Sequence, residues 1–298
     1  MARRREGRKL DGWLAIDKAP GMTSTQVVGR VRRITGAAKL GHGGTLDPMA
    51  TGVLPIALGE ATKTVAYVMD GAKRYRFTVR WGESRDTDDA EGATTATSDH
   101  RPSEAEIRAA LAGFTGEIAQ TPPAFSAIKI GGRRAYELAR KKIPVVPEER
   151  VVRIDAFTLV AIDDADHATF EVACGKGTYM RALARDLALR LGTCGHIAAL
   201  RRLSVGPFAE ADAVSLEKLE ADGVATHLFP VETALALAAL DLTETQAGYL
   251  RQGRPVRLPD RLLRPAEHEV VLARHAGRPV ALARYEAGEI HAVRVLNL

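Results

Sequence analysis

The stretch Tyr75-Arg76-Phe77-Thr78-Val79-Arg80-Trp81 alternates apolar and polar residues without a break. In a strand that alternation sends Tyr75, Phe77, Val79 and Trp81 to one face and Arg76, Thr78 and Arg80 to the other. Short apolar runs at 13–17 and 53–58, and the segments 151–161 and 168–174, predict further strands. Helical spacing lies between them. Val27, Val28, Val31 and Ile34 follow a Thr23 or Ser24 N-cap and stop at Gly36. Leu183, Leu187 and Leu191 recur at i, i+4 and i+8 until Gly192, with Tyr179 and Arg181 in the first turn. Ser103 with Glu106 forms a capping box ahead of a helix over 104–112, and Thr243 with Gln246 forms a second. After Pro230 the chain turns alanine- and leucine-rich. It then gives three strand-like runs at 270–274, 280–284 and 290–296.

This order predicts an α+β fold: a mixed, mainly antiparallel sheet with flanking helices, then a small C-terminal β-rich domain. A length of 298 residues suits two domains. The expected boundaries are a basic arm at 1–10, a main domain at 11–230 with an insert at about 122–152, and a final domain at 231–298. The insert differs in texture: Pro122-Pro123, Gly131-Gly132 and the cations Arg133, Arg134, Arg140, Lys141 and Lys142 surround one short helical run. Ser84 to His100 is polar and acidic and reads as a solvated loop.

Composition narrows the function. Lys plus Arg exceed Asp plus Glu by 42 − 37 = 5, and residues 1–40 hold ten of the cations. That favours a polyanionic partner, although a solvated basic tail gives the same count. No apolar run reaches membrane-span length, and the N-terminus lacks the apolar core of a signal peptide, so the expected address is cytoplasmic. Cys174 and Cys194 form no Cys-x-x-Cys pair, and eight histidines show no zinc spacing, so no metal is expected. The deaminase signature is also missing from the sequence.

The candidate chemistry lies in Gly41-His42-Gly43-Gly44-Thr45-Leu46-Asp47-Pro48-Met49-Ala50-Thr51-Gly52. Its glycines permit positive φ and close approach by another molecule. Pro48 biases Asp47 toward an extended backbone. Asp47 therefore reads as an acid on a stiff loop at the lip of a buried strand, with no basic neighbour in the adjacent sequence. Ordinary turn chemistry would produce the same pattern.

Several blocks in fixed order make the reading specific. The Asp47 loop, Gly59-Glu60-Ala61-Thr62-Lys63, Lys73-Arg74-Tyr75-Arg76, Pro122 to Lys129, Lys176-Gly177-Thr178-Tyr179-Met180-Arg181 and Leu200-Arg201-Arg202-Leu203 together resemble the TruB family of tRNA pseudouridine synthases. The resemblance covers roughly residues 10 to 230. It implies isomerisation of a T-arm uridine of tRNA, position 55, to pseudouridine. It makes Asp47 the catalytic carboxylate, Tyr75 the residue stacked on the target base, and Arg181 the cation paired with Asp47. An arginine in a first helical turn does not complement the helix dipole, which fits its being held for such a partner. Tyr179 and Leu200 would line the base site, His42 would meet the vacated space or the adjacent loop bases in preference to acting as a general base, and Lys18 and Lys129 would contact RNA or support the site. The insert would correspond to the RNA-closing thumb and the last domain to an RNA-binding PUA-type module.

The reaction moves ribose C1′ from N1 to C5 of one base and gains no atom, so no cofactor is expected. Attack by Asp47 at C6, attack at C1′, and action beside removal of a 2′ proton all remain open. A flipped-out base is expected in any of them. The expected partner is the tRNA T stem-loop, bound by a monomer. The competing reading is an RNA-binding tRNA folding chaperone with no essential chemistry. Two departures from the family pattern affect only loop shape: Gly43 stands where threonine is usual, and Lys18-Ala19-Pro20-Gly21 has its proline moved by one.

Overall fold

The computed structural model describes residues 7–126, 129–130, 133–134, 147–259 and 265–298. The chain begins with β1 (Gly12–Lys18), α1 (Ser24–Thr35), β2 (Leu40–His42) and β3 (Thr51–Leu58). Next come α2 (Val65–Asp70), β4 (Lys73–Trp81), the hairpin β5 (Glu83–Arg85) with β6 (Thr94–Thr97), α3 (Glu104–Leu111) and β7 (Gly116–Gln120). Two short strands, β8 (Lys129–Ile130) and β9 (Arg133–Arg134), pair within the insert. The rest of its sequence-based reading, including the short helix and Arg140 to Lys142, falls outside the described residues. β10 (Arg150–Ile162), β11 (His167–Cys174), α4 (Met180–Arg190), β12 (Gly195–Val205), β13 (Phe208–Ala209) and α5 (Leu216–Asp222) complete the main body.

One nine-stranded sheet runs β1-β3-β12-β4-β11-β10-β7, with β2 on β3 and β13 on β12. β3 and β12 are parallel; the other neighbours are antiparallel. This is the mixed, mainly antiparallel sheet of the expected α+β fold. β4 lies at its centre because both of its edges are paired. Its alternation becomes a buried face of Tyr75, Phe77, Val79 and Trp81. Phe77 stacks on Phe170 at 5.7 Å, and Phe157 packs on Phe170 edge-on at 5.5 Å. Val27 and Val31 of α1, Ile107 of α3 and Leu183 and Leu187 of α4 join the same core. Of the two expected N-caps of α1 the structure uses Thr23, which forms a capping box with Gln26, and the helix closes on Gly36 in the left-handed region.

Trp13, Ala15, Val53 and Ala57 point to the opposite face of the sheet. There they meet Phe208, Val231, Leu272, Leu282 and Leu296. The last three belong to, or directly follow, a five-stranded C-terminal sheet built from β14 (Ala239–Asp241), β15 (Val256–Arg257), β16 (Val270–His275), β17 (Arg278–Glu286) and β18 (Glu289–Val295), beside α6 (Glu244–Arg251). Lys63 Nζ donates to the Val295 carbonyl at 2.7 Å, and the Asn297 N–H donates to Glu60 Oε2 at 2.7 Å. The C-terminal unit thus closes one face of the main core instead of hanging from a linker.

The Gly43 departure has a packing cause. A Cβ at this position would lie 2.7 Å from Val68 Cγ1 on α2, and Val68 is fully buried. Gly43→Thr is therefore expected to cost ~1–3 kcal/mol by overpacking. In a double-mutant cycle Val68→Ala should recover part of that cost. Denaturant melts of the four proteins measure the coupling, and strict additivity would refute the contact as its cause.

Candidate active site

The Asp47 loop is held by its backbone. The Ala50 N–H donates to the Asp47 carbonyl at 3.1 Å, and the Gly21 N–H donates to the Pro48 carbonyl at 2.9 Å. Ser24 Oγ, at the start of α1, accepts from the Leu46 N–H at 2.9 Å and donates to its carbonyl at 3.1 Å. Lys18 Nζ donates to the carbonyls of Ala19, Pro48 and Ala50 at 2.9, 2.9 and 2.6 Å. Arg202 of β12 reaches the loop's other flank, with Nη2 on the Gly44 carbonyl at 3.1 Å and Nε on the Val53 carbonyl at 2.8 Å. Gly52 allows this closeness: a Cβ there would sit 2.2 Å from the Arg202 carbonyl oxygen, at φ 95°. With the backbone fixed, the Asp47 carboxylate projects from the loop and stays 33% exposed.

Arg181 meets that carboxylate as a fork. Nε lies 2.9 Å from Oδ2 and Nη2 lies 3.1 Å from Oδ1. The guanidinium is only 4% exposed, and its remaining bonds run to protein: Nη1 to the Thr87 carbonyl at 3.0 Å and Nη2 to the Phe125 carbonyl at 2.9 Å. Asp89 Oδ2 stands 3.6 Å from Nε. Two-point pairing of this kind fixes a carboxylate in angle as well as distance. The arrangement corrects the reading of 84–100 as a solvated loop. The 86–92 bend between β5 and β6 docks on α4, with Asp89 4% exposed and Asp88 paired to Arg185 at 3.0 Å. Burial pushes the Asp88 carboxyl up to about 6 against the pull of Arg185 and Arg181.

Asp47 and Arg181 open onto a cleft of about 560 Å³ that Tyr75, Tyr179 and Leu200 also line. That is room for a nucleotide, and the lining joins an apolar wall that includes Val152, Met180 and Leu200 to the cations Lys73, Arg150, Lys176 and Arg202. Tyr75 is 8% exposed, so the core-edge position implied by its periodicity and a place in the cleft wall both hold. Burial holds its phenol above the usual range against the pull of the Arg202 charge, so at neutral pH it is un-ionised. In the sheet Tyr75 faces Arg202 across the β4–β12 ladder.

Two expected residues, His42 and Lys18, are outside the cleft lining. His42 is in β2 opposite Ile56 and does not line the cleft; burial and nearby Arg202 lower its pKa, leaving a neutral imidazole. Lys18 is 1% exposed and its donors are taken by loop carbonyls, so of its two expected roles, RNA contact or support of the site, the geometry has it holding the Asp47 loop. Burial pulls it down to about 8 while Asp47 and Glu91 pull the other way. Lys129 is in β8, and its side chain falls outside the described residues. Lys18→Met strands buried carbonyls and is expected to cost ~2–4 kcal/mol in urea unfolding. RNA affinity should stay within about threefold at temperatures where the variant is folded. A large loss of affinity without loss of stability would favour the RNA-contact role for Lys18.

Arg202 and Asp89 were not legible as site residues. Arg202 lies in the Leu200-Arg201-Arg202-Leu203 block, and only the register of β12 shows that it spans Tyr75 and the Asp47 loop. The Asp89 signal was present as acidic density, yet sequence could not tell a docked bend from a solvated one. Among the described residues no cluster of His, Cys, Asp and Glu could hold a metal ion, and no helix is long and apolar enough to cross a membrane.

Comparison with known proteins gives the family and the fold. Residues 32–180 match the N-terminal domain model of TruB family pseudouridylate synthases, and residues 181–236 match the C-terminal domain model of tRNA pseudouridylate synthase B. The tRNA pseudouridine synthase B of Rhodospirillum rubrum is 54% identical over 100% of both chains. That of Gluconacetobacter diazotrophicus is 54% identical over 99% of this chain and 100% of its own. Among solved structures, a chain of an H/ACA RNP bound to a substrate RNA containing 2′-deoxyuridine superposes with TM-score 0.75 at 23% identity, over 96% of this chain and 85% of its own. A chain of the archaeal box H/ACA Nop10-Cbf5 complex gives 0.71 at 24% identity, over 97% of this chain and 86% of its own. At those identities the superpositions speak for the fold; the domain models and the full-length relatives place the chain in the TruB family of pseudouridylate synthases.

Proposed function

We propose that this chain isomerises the uridine at position 55 in the T arm of tRNA to pseudouridine, with Asp47 as the catalytic carboxylate. One observation carries the reading: a part-exposed aspartate, held at two points by a buried arginine, faces a nucleotide-sized cleft walled by two tyrosines and a leucine. In the reaction C1′–N1 breaks and C1′–C5 forms. C5 loses its proton and N1 gains one, so no redox partner or carried group is needed. Arg181 aims Asp47, Tyr75 and Tyr179 supply a stacking face and phenolic hydrogen bonds, and Leu200 holds the apolar side of the base.

Under this reading the 122–152 insert closes on RNA, 231–298 is a PUA-like RNA-binding domain, and the chain works as a cytoplasmic monomer on the T stem-loop. The test is incubation with an unmodified T-arm hairpin, followed by nucleoside analysis and mapping of the modified position. Pseudouridine at position 55 alone is expected. Binding without any modified nucleoside would favour the folding-chaperone reading, and modification elsewhere would refute the assigned target.

A further inference from the structure

Tyr179 is the N-cap of α4, with φ −104° and ψ 116°, yet its side chain makes no capping hydrogen bond. Its position is set from outside the helix. Gln120, the last residue of β7 and 1% exposed, accepts from the Tyr179 N–H through Oε1 at 2.8 Å and donates from Nε2 to the Tyr179 carbonyl at 3.2 Å. The side-chain amide therefore acts on Tyr179 as a neighbouring strand would. Because the Tyr179 N–H needs an acceptor, the amide has one workable orientation. Directly across the β7–β10 ladder from Gln120 is Arg150. Its guanidinium lies 4.9 Å from the centre of the Tyr179 ring, and its Nη2 donates to the Gly177 carbonyl. One rung of the sheet thus grips the backbone of Tyr179 with one residue and the ring with the other. Two residues further along the chain is Arg181, the fork on Asp47.

We propose that Gln120 and Arg150 are positioning residues that hold the Tyr179 ring at the cleft and the first turn of α4 against the Asp47 loop. Neither touches the Asp47 carboxylate; both act through Tyr179 and the Gly177–Arg181 backbone. The inference rests on the proposed isomerisation and adds to it a rung of the sheet that keeps stacking face and ion pair in register. Misplacing reacting groups by about 1 Å can cost on the order of 100-fold in rate, so loss of this rung should appear in the chemical step and not in RNA binding.

Gln120→Met, Gln120→Glu and Arg150→Lys test it with T-arm hairpin RNA and saturating enzyme in single turnover. Gln120→Met removes both amide bonds, and Arg150→Lys keeps the charge but loses the planar face. Gln120→Met should slow the chemical step by ~10–100-fold and Arg150→Lys by ~3–10-fold, with RNA affinity within about threefold in both. In Gln120→Glu the neutral carboxyl can replace the amide, its O–H donating to the Tyr179 carbonyl, whereas the carboxylate repels that oxygen. Its rate relative to wild type should therefore fall as pH rises from about 5.5 to about 8.5. A merely structural glutamine would give a pH-independent defect. An unchanged rate in Gln120→Met, a loss confined to RNA affinity, or a pH-independent ratio in Gln120→Glu would overturn the proposal; if Gln120→Met does not fold, Gln120→Glu and Arg150→Lys decide it. Failure of the wild-type chain to modify the hairpin would instead overturn the isomerase reading.

Discussion

Asp47→Asn is expected to abolish turnover while leaving a folded protein that still binds tRNA. The substitution keeps side-chain size and an oxygen for Arg181, so the loop, fixed through the carbonyls of Gly44, Pro48, Ala50 and Val53, loses none of its anchors. What disappears is the negative charge, and with it the carboxylate proposed to act on the uridine. A residual rate at least ~10⁴-fold lower corresponds to about 5.5 kcal/mol of lost transition-state stabilisation. Affinity for tRNA should hold or rise slightly, since a negative charge beside a polyanion has been removed. Equilibrium binding and an end-point nucleoside analysis on the same preparation check both halves.

Arg181→Lys has the second largest expected effect. The guanidinium, 4% exposed, reaches both Asp47 oxygens and the carbonyls of Thr87 and Phe125. A lysine ammonium keeps the charge but is a point donor on a flexible stem. It cannot hold the carboxylate at two atoms and also satisfy both carbonyls. Turnover should fall by ~10²–10³-fold, or about 2.7–4.1 kcal/mol. A stability cost of ~1–3 kcal/mol is expected from the stranded carbonyls. In the double mutant the Arg181 change should add almost nothing to the Asp47 defect, because its catalytic effect passes through Asp47. Single-turnover rates of the two single mutants and the double mutant give this directly; a full multiplicative loss would mean that Arg181 acts on the substrate independently.

The sequence shows most plainly what local pattern determines. The β4 alternation, the Thr23 and Ser103 caps and the Gly36 stop are decided within a few residues, and the structure has each of them. The Asp47–Arg181 pair spans 134 residues and came from a family resemblance; no local pattern carries it. Long-range placement was illegible for physical reasons. Whether Asp88 and Asp89 meet water or α4 depends on where a hairpin folds back. Whether Lys18 meets RNA or carbonyls depends on how closely β1 passes the Asp47 loop. Nothing in the sequence around Gln120 marks it, because the group it satisfies is 59 residues away. The side chains that support the site are thus the ones whose partners are distant in sequence, and their polar character alone pointed to the surface.

The central claim is that the Asp47 carboxylate performs the isomerisation of uridine 55. Single-turnover reaction of folded Asp47→Asn, saturating over unmodified tRNA, tests it most directly, with wild-type enzyme alongside. The account predicts pseudouridine at position 55 from wild type and none above background from the variant. Substantial turnover by folded Asp47→Asn at that position would contradict it.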